Sequence, residues 1–150
     1  MTPVNLTQYQ SAALHRVVEL DERTIARFAP LAVAIHAAAV GGEPVHQHRD
    51  NLLAELADTL AIHAEFDKAA RGSSQEDACV QMLTSAMAAQ HRSLAARVEE
   101  LAHTTTGLDA VALTPTIHAI LNLTLDLAHR VLDHLAAHDV GLPGATNRRP

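Results

Sequence analysis

Three short breaks divide this chain of 150 residues into four segments. The breaks are Gly41-Gly42-Glu43-Pro44, Arg71-Gly72-Ser73-Ser74 and Thr104-Thr105-Thr106-Gly107. Between the breaks, Ala, Leu, Glu, Gln and Arg predominate, and apolar residues recur at intervals of three and four, which is the period of an amphipathic helix. Four helices joined by short connections most simply form an antiparallel up-down-up-down bundle. We therefore predict an all-α four-helix bundle.

The length of the chain is that of one domain with a single core. We expect one bundle over residues 1–150, with flexible tails at 1–7 and 141–150. Aromatic residues make up only 2% of the chain, so Leu, Ile, Val and Ala must build the core. A formal net charge of −6 and the lack of a long Lys or Arg run disfavour a nucleic-acid partner.

The location of the protein is predicted from its cysteine and its N-terminus. Cys79 is the single cysteine and cannot form an internal disulfide, and residues 1–10 lack the basic start and apolar core of a signal peptide. No run of 18 or more apolar residues is present, which argues against a membrane span. We expect a soluble, cytoplasmic protein.

The helix boundaries follow from capping residues and prolines. The first helix should follow an N-cap at Thr7 or Asn5 and run to about Val40, with a kink or a division at Pro30. We predict the second from about Val45 to Ala70, the third after the cap Ser74, and the fourth from the cap Thr114, before Pro115, to about Asp139. The fourth helix also carries Leu123, Leu127 and Leu135 outside its main stripe, which predicts either a central helix or a homodimer interface.

Two similar stretches place a histidine four residues before an aspartate. Residues 59–67, TLAIHAEFD, contain His63 and Asp67, and residues 124–133, TLDLAHRVLD, contain His129 and Asp133. Both pairs continue an apolar stripe of their helix, so we predict that they face the core. Histidine nitrogen and carboxylate oxygen are common ligands of iron, manganese and zinc, and bundle interiors often hold di-iron sites.

Further donors lie on the other two helices. His91 lies on the apolar stripe of the third helix. On the first helix, His15 lies seven residues before Glu22, so these two residues share one stripe. We interpret residues 21–23, Asp-Glu-Arg, as solvated charges, with Glu22 as a weak ligand candidate. His15, His63 and His129 should share one half of the bundle, whereas the level of His91 differs from theirs by about 10–15 Å if the connection before it is not extended.

The order of these motifs resembles that of the hemerythrin-like (HHE cation-binding) family over residues 12–138. His63 and Asp67 match the His-x-x-x-Glu of helix two, although Asp replaces Glu, and Ala95 occupies a position where many members have a further histidine. The resemblance implies a non-haem di-iron centre that binds oxygen or nitric oxide, or that handles iron or redox equivalents. The metal ligands that it implies are His15, His63, Asp67, His91, His129 and Asp133.

Two alternatives remain open from the sequence. A b-type haem between two inward histidines, such as His63 and His129, is one. A metal-free helical interaction module, dimeric and tuned by histidine protonation, is the other. No nucleophile elbow, P-loop, dinucleotide-binding turn or HExxH motif is present, so enzyme activity is not indicated. The remaining histidines that we expect to be exposed or at helix ends are His36, His46, His48, His103 and His118.

Overall fold

The computed structural model describes residues 8–72 and 77–140, which form four α-helices without any strand in these ranges. The helices are α1 (Gln8–Val40), α2 (His46–Arg71), α3 (Ala78–Ala102) and α4 (Gly107–Val140). Helix α1 packs against α2 and α4, and α3 packs against the same two helices. The predicted all-α four-helix bundle is confirmed. The predicted tails, 1–7 and 141–150, lie outside the described residues.

Two helix starts differ from the prediction. Helix α4 begins at Gly107, well before Thr114, because Thr106 provides the cap: its side-chain oxygen accepts from the Asp109 N–H at 3.1 Å. Pro115 therefore lies inside α4. Helix α3 is capped by Asp77, whose carboxylate accepts from Cys79 N and Val80 N. The predicted cap Ser74 is outside the described residues.

Helix α1 is continuous from Gln8 to Val40 although Pro30 lies within it. A proline removes one backbone hydrogen bond and crowds the preceding turn, which was the reason to expect a kink or a division. Division into two helices was wrong. Tertiary packing explains this, since Phe28 and Ile35 are buried on either side of Pro30 and hold both halves against the same core.

The core consists of two apolar clusters along the bundle axis. The first includes Phe28, Ile35, Leu52 and Leu101, and the second includes Leu14, Phe66, Met87 and Val131. All eight side chains are at most 3% exposed. Burial of one such side chain stabilises the fold by about 1.5–3 kcal/mol, so aliphatic contacts dominate the stability, as the scarcity of aromatic residues requires.

The second apolar face of α4 is used mostly within the bundle. Leu127 and Leu135 pack against the second cluster, whereas Leu123 is 43% exposed. The surplus of leucine on α4 is therefore largely explained by contacts inside one chain. The predicted homodimer stays a prediction.

Two of the four helices are long and apolar enough to cross a membrane. Residues 11–40 and 107–137 each contain a stretch of 18 residues with high mean hydropathy and few charged side chains. Core helices of soluble proteins satisfy the same criterion, so the property assigns no location by itself. The expectation of a cytoplasmic protein stays a prediction as well.

Replacement of Gly107 by alanine should destabilise the bundle by about 1–3 kcal/mol, because the added methyl group would overpack a close helix contact. A Cβ atom at Gly107 would lie 2.9 Å from the Cβ of Ala39 and 3.2 Å from Val45 Cγ1. Gly72→Ala is the matched control, since a Cβ there meets its nearest neighbour, the Lys68 carbonyl oxygen, at 3.6 Å. Urea unfolding followed by circular dichroism measures both. Equal stability of the two variants would contradict the close contact.

Candidate functional site

A layer of buried polar side chains separates the two apolar clusters. Each of α1, α3 and α4 contributes a buried polar position to this layer. Along these helices, residues of one apolar cluster come before that position and residues of the other cluster come after it. All four helices contribute to this layer, because each interrupts its apolar stripe at this level. The buried polar residues of this layer are Asp21, Thr24, Thr59, His63, Asp67, His91 and Thr124, and buried Thr114 lies outside the layer.

The shortest polar contacts join α1 to α2. Asp21 and His63 have side chains that are 0% and 1% exposed, and Asp21 Oδ1 lies 2.7 Å from His63 Nε2. The Thr59 hydroxyl donates a hydrogen bond to the same carboxylate oxygen. A buried carboxylate without such partners would be strongly destabilising. Asp21 is therefore tolerated in the core because α2 provides two groups for it.

A second histidine–carboxylate pair joins α2 to α3. His91 Nδ1 lies 2.7 Å from Asp67 Oδ2. The rings of His63 and His91 stack on each other, with centroids 3.9 Å apart and planes 11° from parallel. Asp21, His63, His91 and Asp67 thus form one continuous chain of contacts across three helices, which we call the His–Asp cluster.

Each member of the His–Asp cluster keeps one buried polar atom without a hydrogen-bond partner in the described part of the chain. Buried polar atoms are nearly always bonded, so four adjacent exceptions require an explanation. Both histidines use one ring nitrogen for a carboxylate and leave the other unbonded, which is the arrangement of many metal-binding histidines. The four atoms are Asp21 Oδ2, His63 Nδ1, Asp67 Oδ1 and His91 Nε2.

Burial lowers the pKa of His91 below its ordinary value. The hydrogen bond to Asp67 opposes this shift, and the charge of His63 adds to it. Burial prevails, and the neutral imidazole is favoured at neutral pH. With its Nδ1 hydrogen donated to Asp67, neutral His91 presents a lone pair at Nε2. That is the form in which histidine binds a metal.

The four unbonded donor atoms of the His–Asp cluster do not surround a single point. The lone pairs of two stacked rings lie in nearly parallel planes, so they do not meet at a single ion. Among the residues that the structure describes, no three His, Cys, Asp or Glu side chains are arranged to hold a metal ion. Metal binding at the cluster therefore requires one or both rings to turn out of the stack.

The structure brings together only part of the predicted ligand set. His63, Asp67 and His91 are buried side by side, and the offset expected for His91 does not occur. The other predicted ligands are exposed and line a cleft on the outer surface of α1 and α4, namely His15, His129 and Asp133. Six converging ligands are therefore not present in the described bundle.

The inward orientation predicted for His129 and Asp133 was wrong. Helix α4 is rotated so that Thr124, Ala128 and Val131 face the core. The rotation keeps charged residues of α4 in water and avoids the burial of a further carboxylate. His129 instead lies 3.6 Å from Glu22 on the surface. Because His63 is buried and His129 is exposed, these two do not face a common haem cavity.

Asp21 is the residue that sequence reasoning missed. It was interpreted as a solvated charge, but it is fully buried. Its signal was positional: Asp21 lies one heptad after Leu14 and one heptad before Phe28, and both of these are core residues. Glu22, the weak ligand candidate from the sequence, is exposed.

The histidines outside the cluster differ in exposure and in contacts. His36, His46 and His103 are exposed as expected, and His48 is half-buried at the start of α2, which also agrees with the prediction. By contrast, His118 is half-buried within α4 and stacks on Phe28 with a centroid distance of 5.2 Å. His134 on α4 bonds to Asp77, the cap of α3, and this hydrogen bond lowers the pKa of the Asp77 carboxyl. The histidine thereby ties the end of α4 to the start of α3.

Comparison with known proteins provides no relative for the chain. No family model, curated protein or solved structure matches it. The hemerythrin-like resemblance therefore stays a prediction that rests on the motifs of the sequence.

Replacement of Asp21 by alanine should destabilise the protein by about 3–5 kcal/mol, because it leaves His63 buried without its carboxylate. The matched control is Glu22→Ala, whose exposed carboxylate should contribute no more than about 0.5 kcal/mol. Urea unfolding at neutral pH gives both values. An Asp21→Ala variant that loses no more stability than Glu22→Ala would contradict the stabilising contact between Asp21 and His63.

Proposed function

We propose that the protein is a metal-binding helical bundle and that the His–Asp cluster holds a divalent transition-metal ion. One observation carries the proposal: all four side chains of the cluster keep one buried polar atom without a partner, including a ring nitrogen on each histidine. Two nitrogen and two oxygen donors suit iron, manganese or zinc.

The second support is the environment of the donors. Each histidine is oriented by a carboxylate at 2.7 Å, from Asp21 for His63 and from Asp67 for His91. Such carboxylates fix the orientation of a ligating imidazole and make it more basic. Apolar clusters lie on both sides of this polar layer along the bundle axis, which limits the access of water to the two histidines.

Iron is the metal that the hemerythrin-like resemblance favours. Bound non-haem iron would supply a centre for oxygen or nitric oxide, or for electron exchange. The contribution of the chain is a largely buried site between three helices, with Asp67 at its edge towards the α2–α3 side. Turning of the stacked rings on metal binding couples occupancy of the site to the packing of α1, α2 and α3.

Metal loading distinguishes the buried cluster from the surface residues. The purified protein is incubated with Fe²⁺ without oxygen, then with Mn²⁺ or Zn²⁺ in parallel, and bound metal is measured by elemental analysis after gel filtration. Wild-type protein should retain a stoichiometric amount of one of these metals. His63→Gln and His91→Gln should lose it, whereas His129→Ala should retain it, because His129 is exposed.

The control for folding is the far-ultraviolet circular dichroism of each variant. Retention of metal by both His63→Gln and His91→Gln, or no retention by the wild-type protein, would overturn the proposal. An absorption spectrum taken after incubation with haem tests the alternative cofactor. A Soret band that is present in the wild-type protein and absent from His63→Gln would indicate haem binding instead. With neither cofactor bound, the buried layer would serve a metal-free interaction module.

A further inference from the structure

A cleft between α2 and α3 opens beside the His–Asp cluster. It has a volume of about 440 Å³, and its lining includes Asp67, Arg71, Thr84, Ser85 and Arg92. Two arginines from different helices therefore line the same cleft. We call it the α2–α3 cleft. It is distinct from the surface cleft of His15 and His129.

The two arginines of the cleft have no acidic partner in the part of the chain that the structure describes. Arg71 and Arg92 form no ion pair with any carboxylate in the described ranges, although the chain has a formal net charge of −6. Elsewhere in these ranges, acidic side chains pair with Arg27, Arg49, Arg97 and Arg130. Arg16 and Arg23 also form no ion pair there, but neither of them lines the cleft. Two unpaired cations on one concave surface attract an anion.

We infer that the α2–α3 cleft is a binding site for a phosphate group. Two guanidinium groups match the charge of a phosphate dianion, and their planar donors suit phosphate oxygens. The exposed Ser85 hydroxyl adds a donor from α3. The Thr84 hydroxyl donates to the Val80 carbonyl at 2.9 Å, so its oxygen remains an acceptor for a protonated phosphate.

Asp67 defines the inner edge of this site. Its side chain is 11% exposed, lines the cleft and bonds to His91. A carboxylate at the edge disfavours anions of high charge density that cannot donate a hydrogen bond. Monohydrogen phosphate carries a hydroxyl and sulfate does not, so the cleft should prefer phosphate to sulfate. The inference does not rest on metal binding.

The source of the phosphate group is free phosphate or a small phosphomonoester. The volume of the cleft exceeds the size of a single phosphate ion, which leaves room for an attached organic part. Inorganic phosphate and phosphoserine are therefore the two probes. Tighter binding of phosphoserine would identify a phosphomonoester as the ligand, and equal binding would identify the phosphate group alone.

The experiment is a titration of metal-free, isotope-labelled protein with each probe in EDTA at neutral pH and constant ionic strength, observed by amide chemical shifts. Saturable shifts should appear near Arg71, Ser85 and Arg92. Arg71→Gln and Arg92→Gln should each weaken binding about tenfold, because each removes a charge-assisted hydrogen bond. Arg23→Gln, which removes an exposed arginine outside the cleft, should leave binding unchanged.

Two results would overturn the inference. Shifts that rise linearly without saturation would show that phosphate associates weakly with the surface and does not occupy a defined site. An Arg23→Gln variant that weakens binding as much as Arg92→Gln would show that net charge matters and that the cleft does not. Because EDTA removes metal ions, failure here leaves the metal-binding proposal unaffected, and loss of metal binding leaves this inference unaffected.

Discussion

The contact between Asp21 and His63 is the constraint on which the rest of the bundle depends. A fully buried carboxylate must have a partner, and the partner comes from another helix at 2.7 Å. His63, once fixed by Asp21 and stacked on His91, sets the position of α3 relative to α2. Aliphatic contacts tolerate small displacements along a helix, whereas hydrogen bonds between buried polar groups tolerate few. The His–Asp cluster therefore specifies the register of α1, α2 and α3.

The fold was predictable because the helical period and the breaks agree along the whole chain. The stripe of α3 illustrates this: Val80, Met87, His91, Leu94 and Val98 are all buried, as their spacing predicts. Here the sequence offers only one apolar stripe. On α4, two stripes fit the spacing of three and four, one through His129 and one through Ala128. Periodicity does not distinguish these two stripes. The free-energy cost of burying an additional carboxylate does, because it disfavours the stripe through His129.

The candidate site was predictable only in part, since it depends on pairs between helices. His63, Asp67 and His91 follow apolar stripes, so their inward positions could be inferred from one helix at a time. Asp21 also lies on a stripe, but an aspartate beside Glu22 and Arg23 has the appearance of a surface charge. Its burial makes sense only when His63 and Thr59 are seen on the facing helix. The position of His91 along the bundle axis likewise depends on the connection between α2 and α3. The spacing of apolar residues within a helix does not determine that connection.

Asp67 links the two proposed sites and makes them interdependent. It bonds to His91 within the cluster and lines the α2–α3 cleft. A divalent cation at the cluster would offset the charge of Asp67 and strengthen the attraction of the cleft for a phosphate dianion. Linkage requires the reverse effect to be equal, so a bound phosphate would strengthen metal binding by the same factor. The low dielectric of the core transmits this coupling over the short distance through Asp67 better than bulk water would.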